Sequence, residues 1–206
     1  MSRPVLLIAT KNRGKLREVA AILAGLNVEL ETLDAYPNVL QPVEDSETFE
    51  GNSALKALHY AAHTQRWALA DDSGLEVDAL GGAPGVRSAR FAGRQGDDVA
   101  NNAKLIAELR SVPAEKRTAR FRCAVVLAGE GAILAQASGV CDGFIVDVPR
   151  GHNGFGYDPH FFVAEFGMTA AQMPPELKNA VSHRAKALRA LRPQLLQLLT
   201  AHTLRP

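Results

Sequence analysis

Two adjacent carboxylates, Asp71 and Asp72, follow the apolar run Trp67 to Ala70 and precede Ser73-Gly74 in "WALADDSGLEVDALGGAPG". Carboxylates at the end of a buried strand can hold a divalent cation and activate water. Asp, Ser and Gly are equally the residues of an ordinary turn. A second acidic run, "VEDSETFEGN", carries Glu44, Asp45, Glu47 and Glu50 at the start of a helical stretch, where acids also favour the helix dipole. It gains a metal role if the fold brings it to Asp71 and Asp72, and carboxylates plus substrate phosphate suit a hard ion such as Mg²⁺. The basic counterpart is "ATKNRGKLRE". There a loop with Lys11, Arg13, Gly14 and Lys15 leads into a helix, so amides and ammonium groups can meet an anion. The same cations could simply face water. This is not a Walker A loop, because Ala9 stands five residues before Gly14 and Leu16 follows Lys15.

Two later stretches extend the chemistry. In "GHNGFGYDPHFF", Gly151, Gly154 and Gly156 let backbone approach a ligand, while Phe155 and Tyr157 offer rings to a planar base. Stacking of a base on an aromatic ring is worth roughly 1–3 kcal/mol. The alternative is a glycine turn with core aromatics. "LKNAVSHRAKAL" places Lys178, His183 and Arg184 at a helix start. Cations there oppose the helix dipole, which favours an anionic or carbonyl-bearing partner over a merely solvated basic end.

The elements that must position these groups read as a mixed-sheet α/β fold. "PVLLIAT", the helix "GKLREVAAILAGL" and "NVELETL" make a strand–helix–strand opening. "TFEGNSALKALHYAAHTQR" is an amphipathic helix with Phe49, Leu55, Leu58 and Ala62 expected toward the core, and it leads to the buried strand "WALADD". A loop over Gly81 to Gly96 precedes the helix "DDVANNAKLIAELRSV". "ARFRCAVVLAG" and "AILAQASGVCDGFIV" read as strands joined through Gly129-Glu130-Gly131, antiparallel because no helix intervenes. The last helix, "SHRAKALRALRPQLLQLL", can be capped by Ser182 and is expected to kink or end at Pro193.

Bulk properties narrow the class. With 206 residues the chain can form one large domain or two lobes around a shared sheet. A net charge of +1 argues against a protein built to grip a nucleic-acid backbone. The short apolar run Val5 to Ala9 does not make a signal-peptide core, and no stretch nears the roughly 20 apolar residues of a membrane span. Cys123 and Cys141, the two cysteines, form no zinc motif and read as buried thiols of a cytoplasmic protein.

Taken in order, "TKNRGK", "ETFEGNSALKA", "ADDSGLEVDALGGAPGVRSARFAG", "GFGYDP" and "SHRAKAL" resemble the inosine/xanthosine triphosphate pyrophosphatases, which remove non-standard purine nucleotides. The resemblance runs from Val5 to Leu191. It implies a single Mg²⁺-dependent domain over 1–206, an elongated mixed sheet flanked by helices, two lobes with a central cleft, and a homodimer. The implied reaction turns ITP, dITP or XTP into the monophosphate and pyrophosphate. Carried over residue by residue, it gives Thr10, Lys11, Asn12, Arg13, Gly14 and Lys15 to the triphosphate, with Lys56 near the phosphates. Glu44 and Asp72 would bind Mg²⁺, Asp72 would also accept the proton, and Ser73 would touch substrate. Phe155, Gly156, Tyr157 and Asp158 would orient the nucleoside, with Lys178, His183 and Arg184 completing the base pocket. Gly51, Ser53 and Arg87 depart from the common pattern, where Glu, Ala and an aromatic are usual.

The implied chemistry matches these residue types. An α-phosphoryl group resists attack until its charge is neutralised by metal and cations. Inosine and xanthosine carry a carbonyl at purine position 6, which donors from His183, Arg184 or backbone amides can meet, whereas the amino group of adenine would face another donor. Guanine shares that carbonyl, and no residue pattern here identifies what excludes it. Two other readings compete: a related pyrophosphatase for pyrimidine or modified nucleotides, and a nucleotide sensor without turnover.

Overall fold

The computed structural model describes residues 3–203, so the ends of the expected 1–206 domain lie outside the described residues. Its opening is the expected parallel unit. Val5–Ile8 (β1) leads through Arg13–Ile22 (α1) to Glu29–Thr32 (β2), and β1 pairs in parallel with β2, Leu6 opposite Leu30. Phe49–Thr64 (α2) then delivers Trp67–Val77 (β3) to the other side of β1, again in parallel, Leu7 opposite Ala68.

After Asp98–Glu108 (α3), the long strands Thr118–Gly129 (β4) and Ala132–Ile145 (β5) are joined by Glu130 and Gly131 alone. Both residues have positive φ, 52° and 79°, the backbone of a two-residue hairpin turn. Phe161–Val163 (β6) and Met168–Thr169 (β7) add antiparallel strands, and Pro175–Val181 (α4) and His183–Thr203 (α5) close the chain. The result is one mixed seven-stranded sheet, ordered β2-β1-β3-β4-β5-β6-β7.

Two compact units divide these elements. The first comprises the chain up to Asp72, Cys123–Gly139, and the residues from Arg184 onward. Strand alternation gives it two apolar layers. Leu6, Ile8, Leu69, Val125 and Leu127 pack with Val19 of α1 and Leu188, Leu191 and Leu195 of α5. Leu7, Ala68, Ala70, Val126 and Ala128 pack with Ala57, Tyr60 and Ala61 of α2. The second unit is Ser73–Arg122 with Val140–His183. Its core gathers Leu75, Val77, Leu105, Leu109, Phe121, Ile145, Tyr157, Phe161 and Met173.

Three sequence expectations need correction. The strand carrying Asp71 and Asp72 does not end there: β3 continues to Val77, because Leu75 and Val77 keep the alternation and are fully buried. The buried face of α2 is rotated from the apolar reading. Leu55 and Ala62 are exposed, while Asn52, Ser53 and Lys56 are buried. Polar partners on β3 offset the cost of burying them. Finally, α5 runs through Pro193 to Thr203, held by its buried face of Leu188, Leu191, Leu195 and Leu199.

Close packing of β5 on β6 yields a test. A Cβ on Gly143 would lie 2.5 Å from the Phe162 carbonyl oxygen and 2.7 Å from the Phe161 ring. Gly143→Ala should therefore destabilise the protein by about 1–3 kcal/mol. Urea unfolding with an unchanged midpoint would show that these strands separate at no cost.

Candidate active site

The strand β3 presents Asp71 and Asp72 consecutively, so their side chains leave it on opposite faces. Each carboxylate meets its own set of partners within the first unit. Both are buried, as are Arg184 and Lys56 among the cations that answer them, while Lys15 is half-buried.

On one face, Asp71 Oδ2 receives Lys15 Nζ of α1 at 2.9 Å and Arg184 of α5, through Nε at 3.3 Å and Nη2 at 3.1 Å. Arg184 Nη1 also donates to Glu18, and the Cys123 thiol lies 3.9 Å from Asp71 Oδ2. Burial alone would raise the Asp71 pKa, but Lys15 and Arg184 overcome it and hold the group well below the ordinary carboxylate range. Burial of Arg184 opposes its charge, and Asp71 more than restores it. Burial, reinforced by Asp71, pushes the Cys123 thiol up to about 12, so this cysteine stays protonated and unreactive.

On the other face, Lys56 Nζ of α2 bridges Glu44 Oε2 at 2.8 Å and Asp72 Oδ1 at 3.3 Å. Asn52, one helical turn earlier, donates to Asp72 Oδ2 at 3.1 Å. Its side chain also accepts from Ser46 N at 3.0 Å and donates to Ser46 O at 3.2 Å, which ties the acidic segment to the strand. Ser53 Oγ donates to the Ala70 carbonyl at 3.0 Å. The polar stripe of α2 is thus what joins it to β3. Burial raises the Asp72 pKa; Lys56 and Lys15 oppose the rise and Glu44 adds to it. Lys56 is raised in turn, because Asp72, Asp71 and Glu44 outweigh its own burial.

The expected phosphate loop sits at the start of α1. Asn12 caps the helix, its side-chain oxygen accepting from Gly14 N at 2.8 Å and Lys15 N at 3.1 Å. Thr10 Oγ1 accepts from Asn12 N at 3.2 Å. Lys11, Asn12 and Arg13 are exposed, while Thr10, Gly14 and Lys15 are half-buried.

The second unit holds most of the residues expected at the nucleoside. Asp158 Oδ2 accepts from Phe155 N at 2.8 Å and from Lys178 of α4, whose ammonium lies 5.0 Å from the Phe155 ring centroid. Phe155 and Gly156 are half-buried. Tyr157 is buried in the unit's core and donates to the Ser88 carbonyl at 2.8 Å. His183 stacks on Phe121 at 4.8 Å between centroids, and Ser73 is a half-buried residue of β3. The structure therefore groups Glu44, Lys56 and Asp72; Lys15 with Arg184; and Phe155, Asp158 and Lys178. His183 and Arg184, though adjacent in sequence, turn to different partners.

Asp71, read from the sequence as a metal candidate beside Asp72, is the shared counter-ion of Lys15 and Arg184. Two residues outside the sequence-derived set also belong to these groups: Asn52 orients Asp72, and Glu18 completes the Arg184 pair. Asn52 was legible as a polar residue four before Lys56; Glu18 gave no signal beyond being an acid on α1. Two departures from the common pattern now have structural settings. A Cβ at Gly51 would lie 2.0 Å from Ser46 Oγ, so the acidic segment packs directly onto this glycine. Arg87 is exposed in a short 3-10 helix, Gly85–Arg90.

A family model described as the Ham1 family matches residues 6–194. A dITP/XTP pyrophosphatase of Geobacter sulfurreducens is 54% identical over 190 residues, 92% of this chain and 96% of that protein. A protein of the same name from Geobacillus kaustophilus is 50% identical over 186 residues, 90% and 91% of the two chains. The solved structure of the Staphylococcus aureus Ham1 protein matches with a TM-score of 0.82 at 36% identity, over 94% of this chain and 98% of that one.

The Asp71 network carries a stability signature. Asp71→Asn strands the buried Arg184 and the half-buried Lys15 and should cost about 3–5 kcal/mol at neutral pH. Because folding depresses its pKa, Asp71 contributes fully above the unfolded carboxylate value of about 4 and loses that contribution as pH falls below it. Denaturant titrations of both proteins should converge as the pH is lowered. A constant gap across the pH range would remove Asp71 as the acid-sensitive group.

Proposed function

The chain belongs to the Ham1 family, and on that footing we propose that it hydrolyses ITP, dITP and XTP to the monophosphate and pyrophosphate, clearing non-standard purines from the nucleotide pool. It would be a hydrolase acting on acid anhydrides, one domain over 1–206. The names of its relatives support the substrate class. One observation carries the chemistry: Glu44 and Asp72, from a loop and a strand, converge on the single ammonium of Lys56.

That arrangement fits Mg²⁺. Two carboxylates facing one cationic position are the donor set this ion takes, the rest being water and substrate phosphate. Glu44 and Asp72 would hold it. When bound, it would neutralise phosphate charge and lower the pKa of a nearby water.

The chain's own groups have the remaining roles in this proposal. Asp72, kept in one orientation by Asn52 and Lys56, accepts the proton of the attacking water. Lys15 and Lys56 offset triphosphate charge, with Thr10 to Gly14 forming the loop around it and Ser73 touching substrate. Phe155 to Asp158 and Lys178 orient the nucleoside. His183 and Arg184 donate toward the 6-carbonyl, Arg184 from a guanidinium that Asp71 and Glu18 hold in place. A homodimer accompanies the reading through the resemblance, a cytoplasmic setting through the cysteine usage, and the near-neutral charge supports a protein without a nucleic-acid partner, with no membrane partner proposed. No helix among the described residues is long and apolar enough to cross a membrane.

The decisive assay incubates the purified protein with Mg²⁺ and a panel of nucleoside triphosphates, scoring pyrophosphate against orthophosphate. Pyrophosphate release from dITP and XTP well above that from ATP or the pyrimidine forms is the expected result. Binding without turnover would make the protein a sensor. Asp72→Asn should keep the fold and lower kcat by roughly 10²-fold or more. Near-normal turnover with an unchanged Mg²⁺ requirement would take Asp72 out of the mechanism.

A further inference from the structure

Gly156 is a residue of the aromatic loop that needs an external restraint. Its φ of +62° lies in the left-handed region, and glycine has the least conformational preference of its own. Helix α3 supplies the restraint from two positions one turn apart. Asp98 Oδ2 accepts from Gly156 N at 2.7 Å, and Asn102 Nδ2 donates to Gly156 O at 2.8 Å. Both backbone groups of one residue are thus taken by one helix.

The Asn102 amide has a defined orientation. Its Nδ2 also donates to the Asp98 carbonyl at 2.8 Å, so both acceptors facing that nitrogen are carbonyl oxygens. Exchanging the amide oxygen and nitrogen would set oxygen against oxygen. Asn102 Oδ1 is meanwhile buried without a hydrogen-bond partner. A buried acceptor left unpaired is unfavourable, and the clamp is retained nonetheless. On the far side of Gly156, Tyr157 is anchored to Ser88 and Asp158 to Lys178. Phe155 then carries a half-buried ring at the end of a loop fixed from three directions.

We propose that Asp98 and Asn102 are positioning residues for nucleoside recognition, clamping the N–H and C=O of Gly156 so that the Phe155 ring is presented in one place. This rests on the reading that Phe155 to Asp158 orient the nucleoside. Neither residue touches substrate in the proposal. Their effect passes through the Gly156 backbone, so it appears in substrate affinity and leaves the chemical step alone.

The test uses the full chain with Asp98→Ala, Asp98→Asn and Asn102→Ala. Amide hydrogen exchange, measured without nucleotide, should quicken about tenfold across residues 153–158 in the two alanine variants and stay unchanged in β4. KM for dITP should rise about tenfold while kcat stays within about twofold. Asp98→Asn should fall between wild type and Asp98→Ala, because its amide oxygen can still accept from Gly156 N. It decides the matter if Asp98→Ala fails to fold. Unchanged exchange across 153–158 overturns the clamp, and so does faster exchange with an unaltered KM. Wild-type protein that releases no pyrophosphate from dITP would instead sink the pyrophosphatase reading, leaving the exchange result to judge the clamp by itself.

Discussion

Two consecutive buried carboxylates that a strand turns to opposite faces each need a cation in direct contact on their own side. This constraint at Asp71 and Asp72 organises much of the first unit. Helices α1 and α5 must bring cations to one side of β3, and α2 must bring one to the other. Lys15, Arg184 and Lys56 meet that demand, Glu18 and Glu44 balance Arg184 and Lys56 in turn, and Asn52 orients Asp72. The ion pairs thus tie to β3 the same helices that the apolar layers pack against the sheet. It also leaves the two carboxylates in different states, Asp71 locked as an anion and Asp72 with its proton affinity raised. A neutralised structural charge and a more basic neighbour stand one residue apart.

Much of this was legible in the sequence where residue type and period agreed. The opening strand–helix–strand unit, the turn after Gly129 and the acid pair on a buried run all follow from apolar runs and turn residues. The failures share a cause. A stripe analysis of α2 weighs Leu55 and Ala62 as buried, because it cannot see that β3 offers carboxylates to that helix. The same blindness ended β3 too early, since two acids and a Ser-Gly pair look like a stop until their partners are known. At Pro193 the local rule lost to tertiary packing of the leucines around it.

The nucleoside side was legible in a different measure. Glycines and aromatics in "GFGYDP" marked a loop with a special backbone, but spacing gave no way to separate Phe155, half-buried beside Lys178, from Tyr157, which belongs to the core. Nor could it pair the loop with Asp98 and Asn102, more than fifty residues away on the chain. Contacts of that range depend on how the second unit packs, not on any local pattern. Among the candidate residues, those answering a charge were the easiest to foresee and those holding backbone the hardest.

The fit between Gly51 and Ser46 bears on how this sequence can change over time. The acidic segment folds so closely onto α2 that the space a side chain would need at position 51 is filled by the Ser46 hydroxyl. Any larger residue at position 51 therefore requires the Ser46 side chain to turn away and the loop that carries it to shift. Changes at positions 46 and 51 are coupled through that contact, so the effect of one should depend on the other.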